Sequence, residues 1–319
     1  MGQVQSRLTI SPTPTKLAWM MHLRMLTTMH GLCEVRQCSK RWKNLCPQTK
    51  NLQKCQMSSA GSSEMLQVTV DDKSGIATMT MCRPPVNSLN LEFLTQINIA
   101  LEKLENSKDC SGLIITSKIP KIFCAGLDIM EMYQPNVDRL QEFWRTLQEM
   151  YIRLYGSQLI TAAAINGASP AGGCLMAMSC DYRVMAPGYK IGLNETQLGI
   201  VAPFWFQDLI INTMGFRQSE MALQLGTLFT SEEALNLGMV DKIVPQEQVM
   251  ETAIQEIHKW KKIPGFARQI TKSALRKPSI DKLHSKREED IANFRDFITK
   301  DSIQKTLGMY IESLKKKAK

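Results

Sequence analysis

The chain has 319 residues, of which 44% are hydrophobic and 22% are charged, with 18 glycines and 13 prolines. These values are typical of a globular protein and exclude a collagen-like or low-complexity chain. No stretch approaches the run of about 18 apolar residues that a membrane-spanning helix needs, so no membrane span is predicted. The length allows about two domains, or one large α/β unit with appendages.

The formal net charge of +9 is concentrated near the N-terminus. Residues 1–60 contain nine lysines and arginines and one acid, Glu34, for a net charge of +8, whereas the remaining 259 residues carry +1. Because nucleic-acid binders usually present a concentrated basic face, the balanced body predicts no nucleic-acid partner. The basic, hydroxyl-rich and acid-poor leader is typical of an organelle transit peptide. A disordered basic arm is the alternative.

The first elements of the body alternate between strand and helix. Strands are predicted at residues 66–70 and 76–81, around a turn. Asn90 is placed to cap a helix that runs to about residue 106. A short apolar run at residues 112–116 predicts a buried strand. Strand, helix and strand in this order indicate a mostly parallel α/β sheet.

A long helix is predicted from residue 138, because apolar side chains recur there at helical spacing. A strand at residues 159–165 and a helix at residues 171–179, dense in small side chains, come next. Three further strands are predicted, at residues 182–186, 190–191 and 239–244.

Helices dominate after residue 203. Thr230 followed by Glu233 forms a capping-box pattern that starts one of them. Four more are predicted, at residues 246–262, 265–276, 282–299 and 301–316. The apolar stripe on the last helix predicts that it docks, either on its own core or on another subunit.

Several common catalytic and metal-binding patterns are missing from the sequence. It contains no G-x-S-x-G elbow, no phosphate loop and no Rossmann fingerprint. The nine cysteines are dispersed and include no C-x-x-C pair. No metal site is therefore predicted, and reduced thiols are expected.

Two glycine-bearing loops, at residues 123–128 and 166–174, each follow an apolar run. Glycine lets backbone N–H groups approach a ligand closely. Gly172 is predicted at a helix N-terminus, where N–H groups lack helical partners. Two such groups aimed at one point form an oxyanion hole. Either loop taken alone is better explained as a simple turn, and it is the pair that points to an oxyanion hole.

Glu195 lies in an apolar segment about 23 positions after Gly172. Carboxylates are seldom fully buried unless they are paired. Burial raises the pKa of a carboxyl group and makes the carboxylate a stronger base. Glu195 is therefore a candidate acid–base group; the alternative is a salt bridge to a helix end or exposure to water.

Six short stretches together resemble the crotonase (enoyl-CoA hydratase/isomerase) superfamily, over roughly residues 65–315. They are PPVNSL at 84–89, AGLD at 125–128, ING at 165–167, PAGGCL at 170–175, GLNE at 192–195 and DSIQK at 301–305. The resemblance implies an α/β fold, a spiral of ββα repeats followed by C-terminal helices that form a homotrimer. The resemblance divides the chain into a leader at residues 1–60, a spiral core at 61–258 and a C-terminal helical region at 259–319.

The resemblance also implies an acyl-CoA thioester as substrate. Leu127 and Gly172 would supply oxyanion-hole N–H groups, and Glu195 would be the catalytic acid–base. The residues expected to contact the substrate are Ala125, Gly126, Leu127, Asp128, Ile129, Gly172 and Asn194. For Asn194, orienting Glu195 or a structural role in a turn are the alternatives. No cofactor is expected, because coenzyme A is part of the substrate.

Leu175 is the most informative position in the resemblance. Hydratases of this superfamily carry a glutamate there, since adding water needs a second acid–base group. A single carboxylate suffices to move a proton. The expected reaction is therefore conversion of 3-enoyl-CoA to 2-trans-enoyl-CoA, in which Glu195 takes a proton from C2 and returns it at C4. Asp128 and Glu131 are alternative acids, although Asp128 is better interpreted as a loop or capping residue.

Two other activities remain open from the sequence. One is another reaction of the superfamily, hydration or thioester hydrolysis; the other is RNA binding, which some relatives of this fold show. The resemblance together with the basic leader predicts a mitochondrial matrix protein that acts in β-oxidation of unsaturated fatty acids.

Overall fold

The structure, a computed structural model, describes residues 65–317. The predicted leader, residues 1–60, lies outside the described residues, as does its proposed transit function. The boundaries predicted between leader, spiral core and C-terminal helical region therefore stay predictions.

The described strands belong to two sheets. In chain order they are β1 (Leu66–Asp71), β2 (Ile76–Met81), β3 (Gly112–Ser117), β4 (Lys121–Ile122), β5 (Ile160–Ile165), β6 (Gly167–Pro170), β7 (Tyr182–Met185), β8 (Lys190–Gly192), β9 (Phe229–Thr230) and β10 (Lys242–Ile243). The larger sheet has the order β1-β2-β3-β5-β7-β10 and the smaller one β4-β6-β8-β9.

The described helices are α1 (Leu91–Glu105), α2 (Val137–Gly156), α3 (Gly172–Ser179), α4 (Phe204–Met214), α5 (Phe216–Leu225), α6 (Ser231–Asn236), α7 (Val249–Trp260), α8 (Gly265–Ile298) and α9 (Asp301–Lys317). None of these is both long enough and apolar enough to cross a membrane.

The chain moves repeatedly from the larger sheet to the smaller one. β3 leads into β4, β5 into β6, and β7 into β8. Strands β2, β3, β5, β7 and β10 pair in parallel, with β1 antiparallel at the edge. β4, β6 and β8 are likewise parallel, with β9 antiparallel to β8. The predicted spiral α/β fold is thus confirmed.

The core lies on both faces of the larger sheet. Every residue of β3 and β5 is buried, as expected for parallel strands that are covered on both sides. Asn90 accepts a hydrogen bond from the Phe93 N–H at 3.0 Å and caps α1 as predicted. The capping box of Thr230 and Glu233 is present at α6.

Helix α8 differs from the prediction, because residues 265–276 and 282–299 belong to one continuous helix with Pro278 inside it. Proline removes one helical hydrogen bond and usually kinks or ends a helix. Here ion pairs hold both sides of Pro278 to the body. Before it, Lys272 and Arg276 contact Asp181 at 2.9 and 3.0 Å. After it, Lys282 contacts Asp208 at 2.8 Å.

Asp290 fixes the second half of α8 to its neighbours. Its Oδ2 accepts hydrogen bonds from Trp144 Nε1 at 2.7 Å, Gln148 Nε2 at 2.8 Å and Trp205 Nε1 at 3.1 Å. Phe294, one turn further on, stacks on the Trp144 ring. One buried carboxylate therefore joins α8 to α2 and α4.

The terminal helix α9 docks on its own chain, which is one of the two possibilities predicted. Leu307 is fully buried. Gly308 lies against the ring of Tyr133, and Thr306 lies against Gly199. The 3₁₀ turns Ile129–Glu131 and Glu195–Leu198 come directly before these two contact points.

Candidate active site

The three segments singled out in the sequence follow three adjacent parallel strands. Residues 123–129 follow β4, Gly172 follows β6, and Glu195 follows β8. Ile122 is in register with Ala168, and Pro170 with Gly192. Ligands of parallel sheets bind outside the carboxyl ends of the strands. The smaller sheet thereby brings all three segments to one edge.

The two glycine loops are in direct contact. Gly126 has a φ of +92°, and a Cβ added there would lie 2.8 Å from Ala171 Cβ and 3.1 Å from Gly172 N. A Cβ added at Gly173 would lie 2.3 Å from the Cys124 carbonyl oxygen. Side chains at these positions would push the loops apart, which explains the glycines.

Backbone hydrogen bonds fix the peptide groups on each side of Leu127. The Leu89 N–H donates to the Gly126 carbonyl at 2.8 Å, and the Asp128 N–H donates to the Leu89 carbonyl at 2.9 Å. Gly172 is the first residue of α3. Within residues 65–317, the N–H groups of Leu127 and Gly172 have no acceptor. Both are therefore available to a substrate oxygen.

Glu195 opens the 3₁₀ turn Glu195–Leu198 and is 8% exposed. Both of its carboxylate oxygens are buried and without a hydrogen-bond partner in the described part of the protein. This desolvation raises the pKa of Glu195 from 4.5 to about 7. The group can therefore take up and release a proton near neutral pH. The alternatives of a salt bridge or a solvent-facing carboxylate are wrong.

Glu195 is also connected to the second glycine loop. The Ala171 N–H donates to the Gly192 carbonyl at 2.8 Å, three residues before Glu195. The thiol of Cys174, in the first turn of α3, lies close enough for the charge of Glu195 to raise its pKa, although burial is the larger cause. The segment that leads to Glu195 is thereby joined to the residue that precedes α3.

The two alternative acids are already engaged in structural contacts. Asp128 pairs with Arg83 at 2.8 Å and accepts the Met130 N–H, so the prediction that it is a capping residue is confirmed. Glu131 accepts hydrogen bonds from Arg139 at 2.6 and 2.9 Å and from the Leu91 N–H at 3.0 Å. Neither carboxylate has the unpartnered state seen at Glu195.

Leu175, near the start of α3, is 1% exposed. Cys174 and Met176 on either side of it are buried as well. At Asn194, next to Glu195, the side-chain oxygen is buried and has no partner among the described residues. Asn194 Oδ1 is therefore available to a ligand.

Sequence reasoning assigned no role to Arg83 and Asn87, which hold the first loop. Asn87 Nδ2 donates to Ser117 Oγ at 2.8 Å and to the Phe123 carbonyl at 3.0 Å. Arg83 pairs with Asp128, as above. Asn87 lies within the stretch at 84–89 that carries the family resemblance, and Arg83 lies directly before it. Their place in the sequence is the signal that could have identified them.

A family model described as enoyl-CoA hydratase/isomerase matches residues 71–319. The chain belongs to this family. Enoyl-CoA delta isomerase 1, mitochondrial, of Mus musculus is 56% identical over 252 residues, covering 78% of this chain and 87% of the relative. A short-chain-enoyl-CoA hydratase of Clostridium acetobutylicum is 28% identical over 213 residues, 66% of this chain and 82% of the relative.

A solved structure agrees with this membership of the enoyl-CoA hydratase/isomerase family. The crystal structure of human mitochondrial delta3-delta2-enoyl-CoA isomerase is 52% identical and superposes with a TM-score of 0.78. The match covers 80% of this chain and 99% of that one. The two glycine loops, Glu195 and the terminal helix all lie within the segment that the family model matches.

Proposed function

We propose that this chain is an enoyl-CoA delta isomerase, which converts 3-cis- and 3-trans-enoyl-CoA to 2-trans-enoyl-CoA in the β-oxidation of unsaturated fatty acids. The observation that carries the proposal is the buried, unpartnered carboxylate of Glu195, in a segment whose backbone is hydrogen-bonded to the glycine loop that carries a free N–H group. The names of the mouse and human relatives support the same reaction.

The reaction moves one proton and one double bond. Glu195 takes a proton from C2, the C3=C4 electrons shift, and negative charge develops on the thioester oxygen. The N–H groups of Leu127 and Gly172 donate to that oxygen, which stabilises the dienolate. Glu195 then delivers the proton to C4, so that the double bond lies between C2 and C3. No oxidant, reductant or water is consumed, and we propose that no cofactor is needed.

The remaining predicted contacts follow from the same placement of substrate. Ala125, Gly126, Asp128 and Ile129 belong to the loop that carries Leu127, and we assign this loop to the acyl-CoA path. Asn194 would offer its free side-chain oxygen to the substrate or orient Glu195. No group of three or more His, Cys, Asp or Glu side chains in residues 65–317 could hold a metal ion.

The test is the change Glu195→Gln, which keeps the shape of the side chain and removes the base. General acid–base groups contribute roughly 10²–10⁴-fold to rate, so we expect kcat to fall by about that factor. Conversion of 3-enoyl-CoA is followed by the ultraviolet absorbance of the conjugated product. Glu247→Gln, at an exposed glutamate far from the site in sequence, is the matched control. Normal turnover in Glu195→Gln would contradict the assignment.

Hydration of 2-enoyl-CoA is the competing reaction, and the same preparations can be assayed for it. Hydration needs a second acid–base group, and the resemblance places a leucine, Leu175, at the position of that group. Asp128 and Glu131 are held in ion pairs. We therefore expect hydration to be negligible beside isomerisation.

Assembly and location are further parts of the proposal. We propose a homotrimer formed through the C-terminal helices, a mitochondrial matrix location, and no nucleic-acid partner. The names of the mouse relative and of the human structure both include the word mitochondrial. The basic, acid-poor composition of residues 1–60 supports import.

A further inference from the structure

The terminal helix α9 contacts the two segments that follow Leu127 and Glu195. On one side, a Cβ added at Gly199 would lie 3.2 Å from Thr306 Cγ2, and Gly199 is four residues after Glu195. On the other side, Gly308 approaches the Tyr133 ring, where an added Cβ would lie 3.2 Å from Cε2. The fully buried Leu307 lies between these contacts in the helix.

Gln304 attaches the first turn of α9 to the segment that follows the Leu127 loop. Its Nε2 donates to the Met132 carbonyl at 2.9 Å and to the Ile298 carbonyl at 2.7 Å. Its Oε1 accepts from the Gln134 N–H at 2.7 Å. One side chain thus makes three hydrogen bonds to backbone groups, two of them about 170 positions away in sequence.

The segment between Leu127 and Gln134 is held along its whole length. Asp128 is fixed by Arg83, and Glu131 by Arg139. Gln134 has a φ of +45°, a conformation that a residue with a side chain adopts only when its surroundings impose it. Gln304 holds Met132 and Gln134 at the far end of this segment, so it completes the set of contacts that fix the segment after Leu127.

We propose that Gln304 is a positioning residue for the isomerase reaction. Through Met132 and Gln134 it sets the place of the loop that carries the Leu127 N–H, and through the helix that bears Thr306 it sets the place of the segment after Glu195. Gln304 thereby fixes the separation between the base and the oxyanion donor. The inference rests on the proposed function.

The expected signature is kinetic, because a misplaced base affects the transition state more than the bound substrate. A displacement of about 1 Å can cost roughly 10²-fold in rate. Removing the three hydrogen bonds of Gln304 should slow the reaction by less than this factor, because Leu307 still keeps α9 docked. We expect kcat to fall about tenfold and KM to change by less than about twofold.

The experiment compares Gln304→Met, Gln304→Ala and the control Lys305→Ala in the full chain. Methionine keeps most of the side-chain volume and removes all three hydrogen bonds, whereas Lys305 is exposed on the same turn. We expect both Gln304 variants to lose kcat and Lys305→Ala to behave as the parent. A parent-like kcat in Gln304→Met, or an equal loss in Lys305→Ala, would overturn the inference.

A second measurement on the unchanged protein covers the case in which the variants do not fold. Hydrogen exchange should show the Gln134 amide protected, because its N–H donates to Gln304. Exchange at the rate of an unprotected loop amide would overturn the inference. An inactive parent would count against the proposed function, whereas an active parent with a fully active Gln304→Met would count against the role of Gln304 alone.

Discussion

Glu195 differs from the other carboxylates near the site in having no partner for either oxygen within residues 65–317. Its raised pKa comes from burial, which disfavours the charged form. A group of this kind is a useful base near neutral pH, and it destabilises the folded protein when it is ionised. Catalysis and stability therefore oppose each other at this residue.

This opposition predicts a pH-dependent effect of Glu195→Gln on stability. The pKa rises from 4.5 to about 7 on folding, so the folded state holds a proton more tightly. Stability falls as pH rises from about 4.5 to 7 and stays low above it. We expect the variant to be stabilised by about 3 kcal/mol at pH 8. The stabilisation at pH 5 should be below about 1 kcal/mol.

Chemical denaturation of the parent and the variant at the two pH values measures this difference. The same pKa predicts that kcat/KM of the parent rises with pH through about 7, because the base of the free enzyme must be ionised. Equal stabilisation at pH 5 and pH 8 would be inconsistent with a desolvated carboxyl group at residue 195.

Gly126 allows a second test at the level of one residue. Gly126→Ala places a Cβ 2.8 Å from Ala171 Cβ at a φ of +92°. Gly188→Ala is the matched control, because Gly188 has a φ of +81° and nothing within 4 Å of an added Cβ. Backbone strain of about 1–2 kcal/mol is common to both. We expect only Gly126→Ala to lose activity, by about 10²-fold in kcat.

Thermal melts and the isomerase assay, applied to both glycine variants, separate strain from loop displacement. A similar loss of activity in the two variants would show that the loss comes from backbone strain and not from the contact between the two glycine loops.

At the scale of elements, Asp290 holds the second half of helix α8 to α2 and α4. Three buried donors, on Trp144, Gln148 and Trp205, converge on its Oδ2. Leaving a buried donor unpaired costs about 1–3 kcal/mol. We expect Asp290→Ala to destabilise the protein by about 3 kcal/mol or more, measured by urea unfolding.

The control for Asp290 is Asp296→Ala on the same helix. Asp296 is exposed and pairs with the neighbouring Arg295. Exposed ion pairs contribute little, so this change should leave the unfolding midpoint almost unmoved. A small effect of Asp290→Ala, similar to that of the control, would show that α8 is held by other contacts.

Elements with a strong local signal could be predicted from sequence. Helix α1 has the Asn90 cap and an apolar stripe, and β3 is a short apolar run between turns. β4, with two residues, and β6, with glycine and proline in four, have no such signal. They form because the chain passes directly from β3 and β5 of the larger sheet into the smaller sheet. The continuity of α8 through Pro278 could not be predicted either, because it depends on ion pairs to residues that are distant in sequence.

At the scale of the whole molecule, the spiral topology decides what sequence can reveal about the site. Glu195 could be singled out, because a carboxylate in an apolar segment is unusual. Its proximity to Gly172 depends on the pairing of β6 with β8, which no local pattern encodes. The contact of Gln304 with Met132 spans 172 positions and depends on where α9 docks.

Helix α9 has a consequence for the order in which the protein becomes active. Residues 304–308 touch both the segment after Leu127 and the turn after Glu195, although they lie more than 100 positions further along the chain. The strands of the two sheets can pair before α9 docks, whereas the proposed role of Gln304 lets the base and the donors acquire their final spacing only afterwards. Turnover during refolding should therefore appear together with docking of α9.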